Sequence, residues 1–226
     1  MEMNALHSKA PYWLRKGIFD GLASFSDFEG RVSNVFEEKD RGDIFEIFIE
    51  GYLATQPITQ WVRHWVVGDI PLPLRDRYKL PRDATGIDGV YEMHDGSHVA
   101  YQVKFRQRPQ LTFAEVAPFL GITEQFSDRV IFTNAATLSG KALQRTRWVS
   151  RESFLDLSEN ALRSIEAWLK QKPVPVVRAA PDPSYQVQAL TNIKATLANC
   201  DRATAVMACG TGKTLIALWA AEEQKP

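Results

Sequence analysis

Apolar residues recur along this chain with two periods, and each period marks a kind of element. From Asp43 to Leu53, "DIFEIFIEGYL", the residues Ile44, Phe45, Ile47, Phe48 and Tyr52 fall at three- and four-residue steps, which predicts a helix with one buried face. Glu46 and Glu50 share its other face, with Glu50 read as a solvated residue. "WVRHWVV", from Trp61 to Val67, is rich in aromatic and β-branched residues and predicts a strand, after which "GDIPLPLRDRYKLPRDATG" reads as one long loop. "GIDGVYEM" and "HVAYQVKFR" predict two more strands around "HDGS", whose Asp-Gly pair signals a hairpin. In the second of them Tyr101, Val103 and Phe105 alternate with Gln102, Lys104 and Arg106, an apolar face against a polar one. "LTFAEVAPFLGI" then predicts a helix, "RVIFTNA" a buried strand, "SGKALQRTR" a helix, and "ESFLDLSENALRSIEAWLKQ" one or two more. That order implies an α/β fold with a mixed central sheet flanked by helices.

"KQKPVPVVRAAPDPSYQ" interrupts the periodicity with closely spaced prolines, which stop a helix and suit an inter-domain linker. Beyond it "SYQVQALTNIKATLANC" predicts a helix, "ATAVMA" a strand, and "CGTGKT" a turn into the helix "LIALWAAEE". The expected organisation is an N-terminal helical extension (1–41), a main domain (42–170), a Pro-rich linker (171–184) and the start of a second domain (185–226).

Composition narrows the class only a little. The chain has 226 residues, 45% hydrophobic and 24% charged, with equal numbers of acidic and basic residues, so any nucleic-acid surface has to be a local patch. No apolar run approaches the roughly 20 residues needed to span a bilayer, and the start lacks the apolar stretch of a secretory signal. Cys200 and Cys209 are too few for a disulfide framework or a four-ligand zinc site. A cytoplasmic protein with no membrane partner is therefore expected. His64 and His94 lack spaced partners and read as a hydrogen-bonded strand residue and a turn residue.

The candidate chemistry lies in two stretches. In the second domain, the Gly-rich turn Gly210-Thr211-Gly212 before Lys213-Thr214 opens a helix, so backbone N–H groups can bind phosphate oxygens. Lys213 would reach the terminal phosphates and Thr214 would offer its hydroxyl to magnesium. Met207 stands where the strict pattern wants glycine, and "ACGTGKT" resembles instead the phosphate loop of superfamily 2 helicases and translocases. "PSYQVQAL" resembles their adenine-recognition segment, which makes Gln186 the adenine reader. The resemblance implies ATP with Mg2+ as cofactor and a RecA-like motor lobe of which only the opening is present. The chain thus resembles the front of a longer helicase polypeptide.

In the first domain the informative stretch is "GIDGVYEMHDGSHVAYQVKFR". Phosphodiester hydrolysis takes a carboxylate-bound magnesium ion to stabilise charge on the phosphoryl oxygens and a group that orients water. Asp88 is the hard oxygen ligand and Lys104 the neighbouring cation. A three-residue loop His94-Asp95-Gly96, with Gly96 left-handed, sets Asp88 opposite Gln102. A two-residue turn turns it to the other face. The stretch resembles the PD-(D/E)xK nucleases, specifically the Mrr-like branch whose third motif is Gln-x-Lys, over about Gly42 to Thr133. That resemblance implies a restriction-endonuclease-like fold and Mg2+, with Asp88 as main ligand, Glu46 near the metal, Gln102 shaping the site and Lys104 acting on the attacking water. An Mrr-like nuclease ahead of a superfamily 2 motor is similar to type ISP restriction enzymes and related phage or bacterial defence helicases. It implies double-stranded DNA as partner, together with downstream helicase and specificity or methylase domains. Gln102 replaces the second acidic ligand of the wider superfamily, so a catalytically silent DNA-binding or docking module is the alternative. RNA in place of DNA is also open. The basic runs "KFRQR" and "RDRYK" are candidates for tracking a phosphate backbone.

Overall fold

The computed structural model describes residues 6–56, 61–81, 86–174, 185–207 and 212–223. The chain divides into two compact units, Met1–Pro175 and Val176–Pro226.

The first unit is a three-layer sandwich around a five-stranded sheet. Its strands are β1 (Trp61–Val66), β2 (Gly89–Met93), β3 (His98–Lys104), β5 (Asp128–Thr133) and β7 (Arg147–Val149), in the spatial order β1-β2-β3-β5-β7. β1, β2 and β3 run antiparallel, whereas β3, β5 and β7 run parallel, so the sheet is mixed. Two short strands, β4 (Gln110–Leu111) and β6 (Thr137–Leu138), pair separately.

One face of the sheet is covered by α1 (Ala10–Arg15), α2 (Phe25–Ser33), α3 (Glu38–Thr55), α7 (Arg151–Leu155) and α8 (Glu159–Leu169), which bury a common core with Tyr101, Val103 and Phe132. Much of that core is aromatic. Phe28 stacks on Phe48 at 4.4 Å between ring centroids, and Phe25 lies 5.0 Å from Phe154. The two N-terminal helices therefore share their core with α3, which begins at Glu38. Ser24 caps α2 by accepting the Asp27 N–H at 3.1 Å. The other face carries α4 (Leu72–Arg77), α5 (Phe113–Ile122) and α6 (Gly140–Leu143) over Val90, Ala100 and Ile131.

Three details depart from the sequence reading. The segment expected as a long loop contains α4, started by the Pro71 and Pro73 positions that suit a first helical turn. The stretch expected as a helix at "SGKALQRTR" is the single turn α6, followed by the unforeseen edge strand β7, which is held by pairing to β5 rather than by its own pattern. β3 is buried on both faces apart from Lys104, because parallel and antiparallel neighbours and helices on either side leave it no solvent face.

The β2–β3 turn has the three-residue form. Glu92 pairs with His98, Met93 N–H donates to Ser97 O at 2.8 Å, and Gly96 takes φ +78°, a conformation glycine adopts without strain. The Asp95 carboxylate closes the turn by accepting from Ser97 N–H at 2.9 Å.

The second unit comprises α9 (Gln186–Leu197) and α10 (Lys213–Glu223), packed through Leu190, Ile216 and Ala220. Of the expected strand "ATAVMA", the described residues 203–207 run without a ladder, since no neighbouring strand lies among the described residues of this unit.

Candidate active site

Asp88 stands one residue before β2, opposite the part of β3 that holds Gln102. Its N–H donates to Tyr101 O at 3.0 Å, and its Oδ2 accepts the Val103 N–H at 2.6 Å. The carboxylate is thus tied to the backbone of the strand that ends in Lys104. The next residue, Gly89, has no room for a side chain: a Cβ there would sit 2.5 Å from Trp65 O and 2.4 Å from the Tyr101 hydroxyl. The Tyr101 hydroxyl is itself hydrogen-bonded to His64 Nε2 at 2.8 Å, and burial pushes the His64 imidazole down to about 4.

Helix α3 crosses this end of the sheet and brings Glu46 and Glu50 to the same place. Together with Asp88, Tyr101, His7 and Asp69 they line a cavity of about 420 Å³. Glu50 is 4% exposed, so it is not a solvated helix residue; its Oε2 accepts the His7 N–H at 3.0 Å. Burial pushes its carboxyl up to about 8, against the opposing His7 N–H, with Asp69 adding to the rise. Glu46 is likewise raised, first by burial and then by the charges of Asp88, Asp43 and Glu50, while Lys104 opposes. Asp88 is raised by burial, with the Val103 N–H and Lys104 opposing. Lys104 therefore lies within electrostatic reach of both Asp88 and Glu46.

Gln102 does not join them at the cavity. Its Nε2 donates to Gly86 O at 2.7 Å, and its Oε1 is buried without a partner among the described residues. The register put Gln102 across from Asp88, but burial between layers turned its amide to the Gly86 loop.

No pattern of spacing or composition had marked His7. Its Nε2 lies 3.6 Å from Glu46 Oε2 and 3.9 Å from Asp43 Oδ1, a grouping with the ligand types of a metal site. Its Nδ1, however, accepts the Lys9 N–H at 3.2 Å, so the proton sits on Nε2, which faces the carboxylates as a donor. The Lys9 ammonium already pairs with Asp43 and, at 2.9 Å, with Asp40. These contacts make His7 and Lys9 a clamp on α3. The remaining hard-oxygen set, Asp88 and Glu46, fits a magnesium-type cation: buried carboxylates repel one another, and a divalent ion relieves that repulsion.

In the second unit, Gly212 and Gln186 are adjacent: a Cβ on Gly212 would come 2.7 Å from Gln186 Nε2. Lys213 opens α10, its Nζ donating to Met207 O at 3.3 Å, and Thr214 is exposed beside it. Gly210 and Thr211 lie outside the described residues. Gln186, expected from the sequence to read adenine, and Gly212 and Lys213, expected to bind phosphate, thus lie together at the N-terminus of α10. Residues 181–225 match the ResIII family, described as the type III restriction enzyme res subunit. The match lies within the second unit and points to a helicase-like superfamily 2 segment of RecA-like fold, a class that uses ATP with Mg2+ and acts on DNA. No curated protein and no solved structure matches the chain. Among the described residues no helix is long and apolar enough to cross a membrane.

Proposed function

We propose that the first unit is a metal-dependent DNA endonuclease joined to the opening of an ATP-driven helicase or translocase. The observation that carries this is the meeting of Asp88 and Glu46 on one cavity, with Lys104 within electrostatic reach of both, from a loop, a helix and a strand far apart in the chain. Asp88 and Glu46 would hold Mg2+, whose charge would stabilise the phosphoryl oxygens during hydrolysis. The Val103 N–H fixes the Asp88 carboxylate, so the ligand does not have to be ordered when the ion arrives. His7 fixes Glu46 and Glu50 from above. The Lys104 ammonium sets a positive charge beside both carboxylates, suited to orienting water and facing a phosphate oxygen. In the second unit Gln186 would read adenine, while Lys213 and Thr214, with Gly210, Thr211 and Gly212, would bind the phosphates of ATP. Double-stranded DNA is the partner, together with downstream helicase and specificity or methylase domains of the same polypeptide.

A second reading is favoured by Gln102, a neutral residue engaged with Gly86 O, where a second acidic ligand would strengthen metal binding. On that reading the unit is a silent DNA-binding or docking module. Incubating the chain with supercoiled plasmid in Mg2+ or Mn2+, beside Asp88→Ala and Lys104→Ala, separates the two. Nicking that both substitutions abolish supports the nuclease. Equal absence of nicking with retained DNA binding supports the silent module.

A further inference from the structure

β3 delivers Lys104 to the candidate site, and the chain then runs through Phe105 into Arg106, Gln107 and Arg108. Four residues of extended chain span at most about 14 Å, so these arginines lie within a few phosphates of any bond cut beside Lys104. They form one wall of a separate cavity of about 650 Å³, whose opposite wall is Arg151 and Asn134, with the Ser26 and Ser33 positions of α2 closing it.

The walls are held in place. Arg106 Nε and Arg108 Nη2 both donate to Glu115 Oε1 at 2.7 Å, and Glu115 is anchored by the Thr112 N–H at 2.9 Å and hydroxyl at 2.6 Å. One carboxylate shared between two guanidinium groups leaves an excess positive charge. Opposite, Arg151 forks onto Glu29, with Nη2 at 2.8 Å and Nε at 3.0 Å from Oε2. Asn134 Nδ2 bridges Glu29 Oε1 at 2.9 Å and Arg106 O at 2.8 Å, which ties the walls together. Each guanidinium has five N–H donors, and these contacts use one on Arg108 and two on Arg151, leaving the rest for an anion. The basic run at "RDRYK" differs: Arg75 spends its donors on Ile70 O at 3.1 Å, Pro81 O at 3.4 Å and Val67 O, tying its own loop.

We propose that the groove between Arg106 and Arg108 on one side and Arg151 and Asn134 on the other holds backbone phosphates of double-stranded DNA beside the cut site. The inference rests on the proposed nuclease function for its cut site, but DNA binding here does not require cleavage. Phosphodiesters fit because they are singly charged, offer several acceptors, and are met by fixed guanidinium forks. No base-reading contact is implied, so binding through this groove is independent of sequence.

The test is fluorescence anisotropy of a labelled duplex of about 25 base pairs on the full chain, in EDTA so that metal-dependent cutting is absent, across a salt series. Arg108 is 60% exposed and Ser33 is exposed at the end of α2, so Arg108→Gln and Ser33→Glu leave the fold intact while removing a donor or adding a carboxylate. Each should weaken binding about 5-fold or more, and Arg108→Gln should lower the slope of log K against log salt by about 0.9. Arg163→Gln, an equally exposed arginine paired with Glu159 on α8, should change neither. Wild-type affinity and slope in both groove variants would overturn the proposal, as would absence of duplex binding by the wild type. So would equal competition by RNA duplex of matched length, which would take away the DNA assignment. A protein that fails to nick plasmid yet shows the groove effects would refute the nuclease and leave this inference standing.

Discussion

Glu50 offers a quantitative test of the buried carboxylate cluster. It is 4% exposed, its ordinary value of 4.5 is pushed up to about 8 by burial, and solvent screening takes little from that effect. A raised carboxyl contributes stability that is fully present below the unfolded value and is lost as pH rises through the folded one. From about pH 5.5 to about pH 8 the unfolded chain has already given up this proton, whereas the folded chain reaches only the midpoint. At about 1.4 kcal/mol per tenfold change in proton activity, the metal-free protein loses about 3 kcal/mol across that window through Glu50. Glu50→Gln keeps an oxygen to accept the His7 N–H and removes the titration. Urea unfolding in EDTA at the two pH values should show the wild type losing about 3 kcal/mol more than the variant. Glu46 and Asp88 titrate in both proteins and largely cancel. Parallel pH dependence of wild type and Glu50→Gln would show that Glu50 is ionised in the folded protein at neutral pH and would refute the account of the cluster.

Three further outcomes are expected. Phe28→Ala, which removes a ring stacked at 4.4 Å on Phe48, should cost about 3 to 5 kcal/mol by chemical denaturation and so show that α2 belongs to the core of the first unit. Millimolar Mg2+ should raise the unfolding temperature of the wild type, by about 2.7 kcal/mol of stability at a hundredfold excess over Kd, and should raise that of Asp88→Asn much less. Lys213→Ala should abolish binding of a fluorescent ATP analogue by the intact chain while leaving the unfolding of the first unit unchanged, as monitored by its buried aromatic residues.

Much of the scaffold was legible because its signals are local. Phe45 and Phe48 at helical spacing marked α3, alternation through Tyr101 and Val103 marked β3, and Asp95-Gly96 marked a hairpin whose loop length decides register. "GTGKT" marked a candidate phosphate loop inside the segment that matches the ResIII family. What local pattern could not show is what a buried polar residue meets. Glu50 carries the same spacing signal whether it faces water or the cavity, and packing of the N-terminal segment around His7 decided for the cavity. Gln102 alternates with apolar neighbours whether or not it reaches Asp88, and the Gly86 carbonyl drew it away. β7 has only three residues, too few for a period, and exists because β5 offers an edge.

Hydrophobic period, turn chemistry and motif spacing by themselves determined the mixed α/β class, the β2–β3 hairpin and the candidates Asp88, Lys104 and Lys213, because those features depend on residues within a few positions of one another, whereas the hairpin's register stayed open between two turn lengths until the structure showed the three-residue form. Only the tertiary structure decided that Glu46, Glu50 and His7 share one cavity with Asp88, that α1 and α2 complete the aromatic core, and that Arg106, Arg108 and Arg151 face each other across a groove. Those contacts join residues distant in the chain, such as Arg106 and Asn134, 28 positions apart, or Glu29 and Arg151, 122 apart. Their energies come from desolvation and charge that exist only once the layers have closed.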